Sequence, residues 1–355
     1  MKVLAPVDLP AFSFLLAALI VLFFAWISWI SWREHETVAA RRTLMLMVTV
    51  PLPYLAVIWL PAPWSDLAQW LFIGGTVLGG LLLVFPTGRP GDIADERPAG
   101  PRIDERTIMF SRAVLGPGDA RFEKFYADFP EHRPADDIFR SLPGLMSPDS
   151  KKFEPLPFAA AGASFETVEE LASLVEGEPA AGQVAVGPAE AAEFIKGWSV
   201  KLGAVDCGIT GLKDYHTYSI KGRGPRYGED IDLIGKEGHR WAVAITVEMD
   251  HGLLGTAPEG PTLMESAQQY LEAGAVAVQI AAFIRRLGWR AEAHIDANYR
   301  VVCPLVARDA GLGEIGRMGL LMTPTLGPRV RIAVVTTDLP RQADARVFDP
   351  TVLHF

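Results

Sequence analysis

Apolar positions crowd the first ninety residues in three runs without a charge: 12–32, 43–60 and 67–85. Each is long enough for a helix to cross the hydrocarbon core of a bilayer, so the pattern predicts a three-span transmembrane anchor over residues 1–86. Pro51 and Pro53 interrupt the second run, which a membrane helix tolerates as a kink. Trp32, Trp59, Trp64 and Trp70 stand near the predicted ends, where amphipathic rings favour the interface. The first run is too long for a cleavable leader, and two more follow it. No Asp, Glu, Lys, Arg or His lies inside a run, so no proton or ion path is predicted through the anchor. Gly75 and Gly79, with Gly74 and Gly80, suit close helix packing within it.

Beyond the anchor the pattern changes. Residues 87–106 are rich in Pro, Gly and charge and read as a linker. Residues 107–355 then carry soluble periodicities. Helices are predicted over 165–175 and 188–202, the second with Pro188 in its first turn. A strand is predicted over 203–209, with Thr210-Gly211 as a turn, and another over 241–247. A helix follows from near Thr262, with Thr262 and Glu265 placed as a capping box. Its apolar face is Ala273, Ala277, Ile280, Ile284 and Leu287, and Gly288 closes it. Residues 290–295 and 330–336 read as further strands. Strand, helix, strand at this spacing is a crossover unit. The predicted class is α/β, with an α+β-like mixed sheet flanked by helices.

Charge sharpens the topology. Arg33, Arg41 and Arg42 lie between the first two spans, and Arg89, Arg97, Arg102 and Arg106 follow the third. The opposite loop, 61–66, has no cation, which predicts a multi-pass protein of the cell inner membrane with its large domain in the cytoplasm. A net charge of -9 argues against a nucleic-acid partner. Cys207 and Cys303 are the only cysteines, each in an apolar setting, and read as small buried hydrophobes. No metal-ligating spacing occurs among Cys and His, so no metal site is predicted.

The candidate chemistry gathers late in the chain. Residues 310–321 read A-G-L-G-E-I-G-R-M-G-L-L and hold Gly311, Gly313, Gly316 and Gly319. Glycines let a backbone turn at positive φ or approach a bulky ligand closely. The spacing fits neither a dinucleotide fingerprint nor a P-loop. With the following L-G-P-R-V-R-I-A-V-V-T-T-D-L-P, this segment resembles the corrinoid-binding core of reductive dehalogenases, and more distantly that of epoxyqueuosine reductases. Met109–Arg112, Phe125-Tyr126 and residues 136–145 are similar, in order, to the amino-terminal part of the dehalogenase catalytic subunits.

The resemblance implies cobalamin as cofactor, seated against Gly311, Gly313, Glu314, Gly316 and Arg317. It implies an organohalide as substrate and an electron donor it does not identify. Tyr270, before Phe283-Ile284-Arg285, matches the proposed proton donor of the family. Arg331 matches its cationic partner, and Asn298 a polar residue that orients substrate or tyrosine. A phenol is a poor acid at neutral pH, and a guanidinium beside it stabilises the phenolate. Asp296, His294 and Tyr299 compete for the role of Asn298. Glu314 and Arg317 could equally form a salt bridge with each other. The family also carries two 4Fe-4S clusters on ferredoxin-type cysteine runs. This chain ends at F-D-P-T-V-L-H-F without them, so it reads as truncated and inactive alone. Two other readings stand beside the dehalogenase: a membrane-tethered corrinoid-binding or sensory module without turnover, and an epoxyqueuosine reductase-type activity. The second is disfavoured by the spans, the negative charge and the lack of a D-x-x-P-x-x-E-R run.

Overall fold

The computed structural model describes residues 8–33, 37–84, 100–296, 298–316 and 318–345. The chain divides into two compact units, Met1–Arg89 and Pro90–Phe355.

The first unit is helical: α1 (Leu9–Arg33), α2 (Thr37–Thr49), α3 (Pro51–Ala56) and α4 (Trp64–Val84). Pro51 opens α3, where a missing N–H costs nothing, so the helical run continues to Trp59. Polarity is inverted relative to a water-soluble bundle. Ser13, Ala17 and Ser31 of α1 are buried, whereas Leu15, Leu19, Leu22, Phe23 and Trp26 are exposed. Ser13 donates to Gln69 across α1 and α4 at 3.0 Å, and Tyr54 meets Thr76 at 2.5 Å. Small residues inside, polar groups as glue and large apolar groups outside suit a lipid surround. Among the described residues two helices are long and apolar enough to cross a membrane, Leu9–Arg33 and Thr37–Trp59. Three were expected; the third expected run falls in α4.

The second unit opens with short helices α5 (Met109–Ala113), α6 (Ala120–Asp128) and α7 (Arg133–Arg140). They close on a small core of Leu115, Phe122, Phe125 and Tyr126. Two long helices follow, α8 (Pro155–Leu171) and α9 (Pro188–Lys201), then β1 (Asp206–Gly211) and β2 (Trp241–Glu248). The chain continues through α10 (His251–Leu254), α11 (Gly260–Arg286), β3 (Ala291–His294) and α12 (Cys303–Asp309). A two-stranded hairpin, β4 (Glu314–Ile315) and β5 (Leu321–Met322), precedes β6 (Val330–Thr337).

The main sheet runs β1-β2-β6-β3, and each hydrogen-bonded pair is antiparallel. The expectation of a mixed sheet is therefore corrected. The crossover β2–α11–β3 does leave two strands pointing the same way, but β6 lies between them and runs against both. Buried strand residues Ile209, Val243, Ile245, Ala293, Ala333 and Val335 pack on one face against α8, α9 and α11. On the other face Ala242, Ala244 and Val334 pack against α12 and its flanking loops. From Ala333 onward β6 is thus buried on both sides, as its run of mostly β-branched residues predicts.

Several boundaries move. Thr210 and Gly211 are not a turn but the last residues of β1, paired with Ala242 and Trp241. α11 starts at Gly260, and Thr262 and Glu265 cap nothing within it: Thr262 donates to the Leu253 carbonyl, and Glu265 accepts from the Asp250 N–H at 2.7 Å. Gly288 does close α11, at φ 83°. The end of the expected linker belongs to the body of this unit. Arg102 donates to the carbonyls of Thr217, Tyr218 and Ile231, and Glu105 is fully buried, accepting from the Gly222 N–H at 2.7 Å.

Candidate active site

β2 and β3 share a direction, so their carboxyl ends lie at the end of the sheet where β6 begins. Arg331, the second residue of β6, stands opposite Val247 near the end of β2. It alternates onto the α11 side with Ala333 and Val335. Tyr270 lies on α11, one helical step beyond Ser266 and one before Gly274. At Gly274 a Cβ would sit 3.3 Å from Val168 of α8 and 3.7 Å from Ile295, so the glycine admits the segment leaving β3 close to α11.

Here the chain brings together two residues far apart in sequence. Arg331 Nη1 donates to the Tyr270 hydroxyl at 3.2 Å, and its Cζ lies 4.1 Å from the centre of the Tyr270 ring. Arg331 Nη2 donates to Ser266 Oγ, while Nε is buried without a partner among the described residues. Because the guanidinium donates to the phenol oxygen, the phenolic hydrogen is left to point elsewhere. Phe165 of α8 closes one side of the ring at 6.2 Å.

The electrostatics differ from the sequence expectation in sign. Burial raises the Tyr270 phenol above its ordinary value; Arg331 pulls it down without cancelling that effect, and Asp296 adds to the rise. The phenol is therefore protonated throughout the neutral range. Arg223 also bears on it from the loop after Lys221. That loop is pinned from below by buried Glu105, which takes Arg223 Nε at 3.3 Å and lies 3.4 Å from Lys221 Nζ. Arg223 reaches Asp296 at 4.0 Å and stacks over the Tyr299 ring at 5.8 Å. Sequence reading missed Ser266, Arg223 and Glu105, because nothing in their local spacing marks them.

The other candidates divide. Asn298 accepts from the Ile295 N–H at 3.2 Å and so holds the turn after β3; its described hydrogen bonds do not reach Tyr270. Asp296 stands beside Arg223, and Tyr299 is held far above its ordinary range by burial. His294 is fully buried on β3 and bonded to Thr336, which also meets His239. Cys207 and Cys303 are free and buried, their thiols pushed up by burial to about 11 and about 12. Among the described residues no group of His, Cys, Asp and Glu could hold a metal ion.

The glycine motif is only partly open to a ligand. Gly311 turns the chain after α12 at φ 82°. A Cβ at Gly313 would lie 2.2 Å from the Met322 carbonyl oxygen, and one at Gly316 would lie 2.9 Å from Met322 Cγ. These close approaches are made by the chain's own hairpin. Glu314 is buried within that hairpin, and Arg317 lies outside the described residues. Gly319, by contrast, has open space beside it, flanked by exposed Met318 and Leu320.

No family model matches the chain. It is 37% identical over 112 residues to the tetrachloroethene reductive dehalogenases of Desulfitobacterium hafniense and Dehalobacter restrictus. That match covers 30% of this chain and 20% of each relative, so it spans about a fifth of the curated proteins' length. Among solved structures, a reductive dehalogenase described as suggesting a mechanism for B12-dependent dehalogenation superposes with a TM-score of 0.51 at 22% identity. It covers 70% of this chain and 32% of its own. Epoxyqueuosine reductase from Bacillus subtilis is a distant neighbour, with a TM-score of 0.32 at 15% identity over 44% of this chain and 47% of its own. Shared sequence with the tetrachloroethene enzymes and a shared fold with the dehalogenase structure agree, and the chain is a reductive dehalogenase-like protein.

Proposed function

We propose that this protein is an oxidoreductase that removes halide from an organohalide, with Tyr270 giving the proton that replaces it. The observation that carries the reading is the Tyr270–Arg331 contact, made between residues 61 apart in sequence. The balance is two electrons and one proton in, with the carbon–halogen bond broken, a carbon–hydrogen bond formed and halide released. A corrinoid beside the Tyr270–Arg331 contact would supply the electron pair when bound, with an external reductant as its source; Cys207 and Cys303, both buried and apart, do not fit an iron–sulfur cluster. The protein's own residues handle the proton. Burial keeps the Tyr270 hydroxyl protonated until a strongly basic carbon develops beside it. As the proton leaves, charge appears on the phenol oxygen, where Arg331 Nη1 already donates; this contact strengthens in the transition state. Membrane attachment through α1 and the α2–α3 run, with the second unit on the cytoplasmic side, is part of this proposal, supported by the apolar runs and the arginine bias.

Replacing Tyr270 by Phe tests the reading. The full chain, reconstituted with cobalamin and supplied with electrons by a chemical reductant, is assayed for halide release. The change is expected to lower the rate by about 10²-fold or more while corrinoid binding persists. Equal rates, or no turnover by either protein despite bound corrinoid, would favour a binding module instead.

A further inference from the structure

Arg331 faces two demands that pull it apart. Attraction to the face of the Tyr270 ring draws a guanidinium toward the ring centre, and Cζ is already 4.1 Å from it. Stabilising a phenolate requires an N–H to stay at the hydroxyl, at the ring's edge, where Nη1 now stands at 3.2 Å. A guanidinium held by Tyr270 alone could slide from the second placement to the first. A second anchor is present. Ser266 lies four residues before Tyr270 on the same face of α11, and its Oγ accepts from Nη2. The planar fork is thereby fixed at two points on one helix, and it cannot move inward without breaking the serine contact.

We propose that Ser266 is a positioning residue, which holds the Arg331 guanidinium at the Tyr270 hydroxyl and so governs how readily that hydroxyl releases its proton. This rests on Tyr270 as the proton donor, but its test does not require turnover. A serine that merely completes the hydrogen bonding of a half-buried arginine would affect stability and leave the phenol's titration alone.

The full chain is prepared with 3,5-difluorotyrosine at position 270, which brings the phenol's titration to lower pH and supplies a single fluorine signal. Its midpoint is compared between the unaltered chain, Ser266→Ala, Ser266→Cys and Ser266→Thr. Alanine and cysteine should both raise the midpoint by about 0.5 unit or more, since the opposing charge is no longer held in place. Threonine, which keeps the hydroxyl, should restore it. Cysteine preserves volume and is a weak acceptor, so it separates the effect from a folding defect in the alanine variant. An unchanged midpoint in either variant overturns the proposal, even if halide release falls. A raised midpoint with threonine rescue supports it, even if Tyr270→Phe shows that the phenol is not the proton source.

Discussion

At the scale of single residues, the site depends on the shape of a guanidinium as much as on its charge. Arg331 donates to two oxygens and stacks on a ring at once. Lysine is a point charge with no planar fork, so it cannot hold both oxygens in this geometry while stacking on the ring. Arg331→Lys should therefore lower halide release by about tenfold, and Arg331→Met by about 10²-fold or more. Initial rates at saturating corrinoid decide the matter: a lysine variant as fast as the unaltered chain would show that charge alone matters, and equal losses that the charge without the fork contributes nothing. Tyr270 and Arg331 were legible only through the resemblance, because a tyrosine on an amphipathic helix and an arginine on a strand carry no mark of their own. The direction of the phenol's shift was not legible. It depends on how much protein covers the ring, and that protein comes from α8 and from the segment after β3. Asn298 reads as a polar group beside the site, yet the fold spends it on a turn.

At the scale of elements, periodicity located most helices and strands, while their ends were set by partners no local window contains. β1 runs through Gly211 because Trp241 pairs with it, and α11 begins at Gly260 because Glu154 receives the Gly260 N–H at 2.7 Å. The glycine motif shows the same limit. Its composition announced close approach, but not that the approaching group is the chain's own Met322 carbonyl. Gly313→Ala places a Cβ 2.2 Å from that oxygen, so the hairpin must open. The variant should lose about 1–3 kcal/mol and melt at least about 2 °C lower in a thermal scan of the full chain in detergent. An unchanged midpoint would mean that the hairpin yields without cost.

For the whole molecule, acid is the expected weakness. His216, His239 and His294 are all buried and held below the ordinary histidine value, burial being the largest cause for each. His216 lies 3.0 Å from Asp309, and its other ring nitrogen receives the Lys213 N–H, so its neutral form is fully used. A histidine with a depressed folded pKa contributes stability above its unfolded value of about 6.5 and loses it as pH falls. For His239, depressed to about 4, the loss over that window is on the order of 3 kcal/mol. Asp309 acts in the same direction: Lys213, Tyr215, His216 and Arg308 hold its carboxylate below the ordinary range, so its contribution fades at still lower pH. Thermal midpoints of the full chain should fall steadily from pH 7 to pH 4.5, and a flat profile would contradict the burial of these rings.

The placing of β6 also bears on the order in which the protein can assemble. During synthesis β2, α11 and β3 emerge well before residue 330, yet β2 and β3 have no bonds to each other. Until β6 arrives, each presents an open edge to solvent. The strand that joins them also delivers Arg331 to Tyr270. Completion of the sheet and assembly of the site are thus one event, and a nascent chain that has not reached it carries exposed strand edges with no proton-delivering pair.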